Sequence, residues 1–109
     1  RKLLIFKDKD KIVGEDSIIS TKLKNEITGY SIRFHLMPNI SCLITNDQKS
    51  VLIKTPLNQK WVFKSDSKLK LENSIYIGGG KSIEQSKQIV INGNINDNKK
   101  IENWSITKS

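Results

Sequence analysis

The sequence predicts an all-β fold, an antiparallel β-sandwich of about eight to nine short strands. Three observations predict it. First, Tyr30 to Pro38 alternates: Tyr30, Ile32, Phe34 and Leu36 share one face, while Ser31, Arg33, His35 and Met37 share the other. That is the two-residue period of a strand with one dry and one wet side. Second, the chain has no alanine and is rich in isoleucine, valine and threonine, whose branched side chains favour pleated surfaces over helices. Third, turn-forming clusters recur at roughly eight- to twelve-residue spacing, and no window keeps a helical period for three turns.

Taken in order, Lys2 to Lys7 reads as a strand and Asp8-Lys9-Asp10-Lys11 as a polar turn. Lys11 to Val13 resumes the extended pattern, which Gly14-Glu15-Asp16 is expected to break. Ile18-Ile19 is a short apolar piece before a charged loop, Lys22 to Glu26. Ile27 to Met37 is expected to be a central strand, ended by Pro38, which has no amide hydrogen for a ladder. Ile40 to Thr45 is the next strand, followed by the hairpin loop Asn46-Asp47-Gln48-Lys49. Val51 to Lys54 stops short of Pro56. Lys60 to Lys64 alternates around Trp61 and Phe63, and Leu69 to Ile77 follows the turn at Ser65-Asp66-Ser67. Gly78-Gly79-Gly80 ends that strand. Lys87 to Asn92 is another strand, Asn92 to Asn98 is rich in turn residues, and Ile101 to Thr107 is the last strand, anchored by Trp104 and Ile106.

The length of 109 residues suits one domain over residues 1–109. Hydrophobic residues at 36% and charged residues at 28% fit a packed fold better than a disordered chain. No apolar run approaches the roughly 20 residues of a membrane-spanning helix. The chain opens at Arg1 without the pattern of a signal peptide, as expected of a fragment of a longer protein. Its one cysteine, Cys42, excludes an internal disulfide and reads as a small strand hydrophobe.

Net charge is +8, from nineteen Lys plus Arg against eleven Asp plus Glu. Such a balance suits nucleic acid, an anionic membrane or an anionic polymer. Arg1 and Arg33 are the only arginines and the lysines form no block, which argues against nucleic acid. A basic nucleic-acid-binding domain stays only as a third alternative.

Candidate chemistry is sparse. Gly80-Lys81-Ser82 resembles the end of a phosphate-binding loop, but position 75 is Ile where that motif needs Gly, and no long helix follows. His35 is the sole histidine, too few for a zinc site, so no metal or cofactor is assigned. Trp61 and Trp104 sit in alternating strands and read as core, not as sugar-stacking platforms. Glu15-Asp16, an acidic pair of the kind glycosidase or calcium chemistry uses, reads as a solvated turn. No Ser-His-Asp or Cys-His set is present, so no catalytic residue is assigned.

A family resemblance carries the functional expectation. Arg33-Phe34-His35-Leu36-Met37-Pro38, Leu71-Glu72-Asn73-Ser74-Ile75-Tyr76-Ile77-Gly78-Gly79-Gly80 and Gln88-Ile89-Val90-Ile91-Asn92-Gly93 resemble the C-terminal region of heparinase II/III-like proteins. Gly14-Glu15-Asp16 and Trp104-Ser105-Ile106 fit the same order. The resemblance implies a bacterial polysaccharide lyase in which an N-terminal helical toroid partners this sandwich. Such proteins cleave uronic-acid polysaccharide by β-elimination, with a base removing the proton beside the carboxylate and an acid protonating the leaving oxygen. The catalytic residues and metal ligands of that family fall outside this stretch, so neither His35 nor Tyr76 inherits a catalytic role. The resemblance implies a periplasmic or cell-envelope location and an anionic polysaccharide as partner, with Arg33, His35 and Lys81 as glycan-binding candidates. The alternative is a module that binds anionic glycan or packs against its parent without lyase activity.

Overall fold

The computed structural model describes residues 1–19, 28–78, 83–95 and 99–109. Among the described residues nine strands form two antiparallel sheets: β1 (Lys2–Phe6), β2 (Lys11–Ile19), β3 (Thr28–His35), β4 (Ser41–Ile44), β5 (Ser50–Lys54), β6 (Lys60–Ser65), β7 (Leu69–Ile77), β8 (Ile83–Ile95) and β9 (Lys99–Lys108). The larger sheet has the order β1-β2-β9-β6-β5-β4 and the smaller β3-β8-β7. The all-β sandwich is therefore as expected. The charged loop at Lys22–Glu26 and the Gly79–Ser82 segment, with Lys81, lie outside the described residues.

The core forms where the dry parities of both sheets meet. Val51, Ile53, Phe63 and Trp104 come from the larger sheet and Leu69, Ile89 and Ile91 from the smaller. Phe34 of β3 is wedged against Phe63 and Trp104, each with its ring centroid 4.9 Å away. Offset and edge-on aromatic packing of this kind adds about 0.5–1.5 kcal/mol per pair to area burial.

The tight hairpins follow from local chemistry. In β4–β5 the Gln48 amide donates to the Thr45 carbonyl, and Gln48 takes φ 60°. In β5–β6 the Asn58 amide donates to Thr55 and Asn58 takes φ 62°, with Pro56 at the turn position that favours its fixed φ. A left-handed residue closing a β-turn restores the strand twist.

Three expectations are corrected. Gly14 does not break its strand: β2 runs unbroken from Lys11 to Ile19. The described glycines all lack positive φ. Gly14 is needed for space, since a Cβ there would overlap the Trp104 indole. Gly93 plays the same part under the Tyr30 ring, so β8 runs on to Ile95 instead of turning at Asn92. Third, β3 is an edge strand of the smaller sheet among the described residues, not a central one. Its half-buried side is nevertheless aimed at the middle of the core. Ile75 and Ile77 share the parity of Leu69 and Leu71 yet are exposed, because the far end of the β7–β8 hairpin runs past the core.

Candidate functional site

The register of the smaller sheet assembles a polar outer face from residues far apart in sequence. Arg33 pairs with Val90, and Val90 with Lys70; His35 pairs with Gln88, and Gln88 with Glu72. Alternation places Arg33, His35, Lys70, Glu72, Ser74 and Tyr76 on this side. The Arg33 guanidinium donates to Glu72 Oε1 at 2.8 Å. His35 Nδ1 lies 3.1 Å from Ser74 Oγ, and Ser31 Oγ donates to Asn92 Oδ1 at 2.6 Å. The bridging side chains roof Val90, which is fully buried although its side chain points away from the sandwich core.

Two of the three candidates, Arg33 and His35, are thus neighbours on one exposed face, and the third, Lys81, falls outside the described residues. Glu72 and Ser74, which engage them, were not visible as site residues in the sequence, because that pairing requires β8 to lie between β3 and β7. Gln88, beneath this layer, donates its amide to the Asn73 carbonyl at 3.1 Å. Its Oε1 is buried without a hydrogen-bond partner among the described residues.

A second polar cluster lies between the sheets. Asp16 and Glu102 face each other across β2 and β9, and both are buried. Arg1 donates Nε and an Nη to the two Asp16 oxygens at 2.7 and 3.0 Å, and its guanidinium sits 4.9 Å from the Phe34 ring centroid. The hydrogen bond that Arg1 donates to Asp16 raises the Arg1 pKa further. Glu102, 2% exposed, accepts from Tyr30 Oη and, at 2.6 Å, from Ser67 Oγ. Burial first, and then the Glu102 carboxylate, push the Tyr30 phenol well above its usual value. Asp16 is therefore not in a solvated turn: it follows Ile12 and Gly14 on the inward parity of a continuous strand. Glu102 shares the parity of Trp104 and Ile106, the one sequence signal that marks a carboxylate turned inward. Each carboxylate is buried and satisfied by its own donors, as in a structural pair.

An apolar groove of about 520 Å³ opens at the β4–β5–β6 margin, lined by Leu43, Leu52, Trp61 and Val62 with Lys54 and Lys60 beside it. Cys42 borders it, and burial pushes its thiol pKa up, away from a reactive thiolate. Among the described residues there is no group of three His, Cys, Asp or Glu placed to hold a metal ion, and no helix is long and apolar enough to cross a membrane.

Comparison with known proteins agrees with this architecture. The chain is 32% identical over 74 residues to FtsZ-localized protein C of Caulobacter vibrioides (strain NA1000 / CB15N). That alignment covers 62% of this chain but 13% of the relative, so the chain spans a small part of the curated protein it matches. No solved structure matches it. The family model described as heparinase II/III-like, C-terminal, matches residues 1–105. With nearly every residue inside that match, the chain belongs to the heparinase II/III-like family, as its C-terminal β-sandwich region.

Proposed function

We propose that this region serves a polysaccharide-lyase parent as a non-catalytic sandwich that holds anionic glycan, while β-elimination takes place on residues outside it. The observation that carries the glycan role is the outer face of the smaller sheet. Arg33, Lys70, His35, Ser74 and Tyr76 place two cations, an imidazole, two hydroxyls and an aromatic edge on one solvent-facing surface. A flat polar surface of this kind suits an extended polymer bearing carboxylates or sulfates, with the +8 net charge adding long-range attraction screened over about 8 Å at physiological salt. The helical toroid of the parent and a periplasmic or envelope location belong to the same reading.

The test has two arms. Incubated with a uronate polymer, the chain is expected to release no unsaturated uronate, read as no rise in ultraviolet absorbance. Robust turnover would place the active site within these residues and overturn the reading. In the second arm, binding to the same polymer is expected to weaken with salt and to fall several-fold in Arg33→Ala. Unchanged binding in that variant would remove the glycan role from this face.

The exposure of Leu3 and Ile5 favours a packing role in addition. The name of the Caulobacter relative concerns localisation to FtsZ, which fits a module that positions its parent as well as one that holds glycan.

A further inference from the structure

The two sheets do not match in width. Six strands spaced at about 4.8 Å span ~24 Å, whereas three span ~10 Å. The contacts show which part of the larger sheet is left bare. Phe34 places β3 above β6 and β9, and Tyr30 ties it again to β9 through Glu102. At the other side β7 meets the β4–β5 hairpin, where the Leu69 amide donates to the Gln48 carbonyl at 2.6 Å. The smaller sheet therefore stops above β9, and β1 and β2 continue beyond it. Ile5 pairs with Ile12 and Leu3 with Gly14, so both point to the core side of β1. They are nonetheless 60% and 55% exposed.

The open side of this gap is the edge of β3 away from β8, which pairs with no strand among the described residues. The Leu36 amide donates to Lys87 across the β3–β8 ladder. Amides alternate in direction along a strand, so those of Gly29, Ser31, Arg33 and His35 face away from β8. Natural edge strands are blunted by bulges, prolines or several charges. Thr28–His35 has one formally charged residue, Arg33, no proline, and an unbroken register with β8. The backbone at Arg1 already lies at this gap, since its guanidinium sits between Phe34 of β3 and Asp16 of β2. The relative is several times longer than this chain, and the family region is a C-terminal one.

We propose that in the full-length protein the polypeptide preceding Arg1 supplies at least one β-strand that pairs with the open edge of β3 and roofs Leu3 and Ile5. The partner at this surface is thus extended backbone with apolar residues on alternate positions, not a helical face. Leu3 and Ile5 receive its side chains, and the amides of Gly29, Ser31, Arg33 and His35 donate to its carbonyls. This goes beyond the glycan reading and does not depend on it.

Residue-resolved hydrogen exchange on the full-length protein tests the pairing. The amides of Ser31, Arg33 and His35 are expected to exchange within about tenfold of those of Ile32 and Phe34, which bond to β8. Alternating fast and slow amides along β3 would overturn the proposal. A full-length Ile5→Cys variant tests the roof: its thiol is expected to react far more slowly than that of Leu4→Cys on the opposite side of β1. Slow reaction at position 5 with fast amides on β3 would mean a cover other than a paired strand, which also overturns it. Protection that disappears when a dimer is diluted to monomer would assign the edge to a second copy and overturn it as well.

Discussion

One strand, β3, carries two polar arrangements of similar chemistry and unequal consequence. Facing the other sheet, Tyr30 donates to Glu102, which Ser67 also holds, in a setting with little water. Facing solvent three residues later, Arg33 donates to Glu72, with about two-fifths of each side chain exposed. Water competes for every group of the outer pair and screens its charge, so that pair is worth only about 0.2–1 kcal/mol. The inner carboxylate has no water to return to, and each lost donor costs about 1–3 kcal/mol. Burial, not the identity of the bonded groups, separates the two arrangements on this strand: the inner set fixes the sandwich, and the outer set is free to exchange its partners with water.

The largest expected effects come from the inner side. Phe34→Ala removes a ring packed on Phe63 and Trp104 and under Arg1, and is expected to cost about 3 kcal/mol, read from denaturant midpoints at constant slope. Gly14→Ala pushes a methyl group into the Trp104 indole and is expected to cost about 2 kcal/mol for the same reason of close packing. A neutral Gly14→Ala would mean that Trp104 can move aside cheaply, and the inner side would lose its claim to rigidity.

Next is Tyr30→Phe, which leaves Glu102 with Ser67 alone and is expected to cost about 1–2 kcal/mol. It also has a pH signature with a definite sign. The folded phenol holds its proton more tightly than the unfolded one, whose pKa is about 10. Its contribution is therefore complete below about pH 10 and is lost as pH rises above that value, because unfolding then releases a proton. Thermal stability of the native chain is expected to fall faster than that of Tyr30→Phe above pH 10. Every other ionisable group is shared by the two proteins, so the difference between the curves isolates Tyr30. Parallel curves would mean that Tyr30 does not donate to a buried carboxylate.

How much of this was legible in the sequence follows the same division. The two-residue period was enough to find the strands and the dry face of Tyr30, Ile32, Phe34 and Leu36, since parity is a local property. Gly14 and Gly93 misled because turn chemistry is the common reason for a glycine, whereas here the reason is a distant aromatic ring resting on the backbone. Asp16 was hidden by the same error. Arg33 and His35 were legible as exposed polar residues on a strand, but Glu72 and Ser74 became their partners only through the order β3-β8-β7, which no local pattern encodes. The edge position of β3 was illegible for the same reason.

The smallest stability effect separates the two arrangements most cleanly. A double-mutant cycle of Arg33→Ala and Glu72→Ala is expected to give a coupling under about 1 kcal/mol, shrinking with salt. For binding, the same pair carries the opposite expectation. Glu72 occupies the guanidinium that an incoming uronate would use, and it adds a negative charge to the surface the polymer approaches. Glu72→Gln removes that charge and weakens the competitor while keeping the side chain's size over Val90. It is therefore expected to leave the unfolding midpoint almost unchanged and to raise affinity for a uronate polymer about threefold or more at low salt, since about 0.7 kcal/mol of released competition is a factor of roughly three. If Glu72→Gln instead weakens binding, then Glu72 orients Arg33 for the ligand rather than competing for it. If neither stability nor affinity moves, the ion pair is a solvated contact of no consequence, and the outer face of β3 differs from the inner one only in being wet.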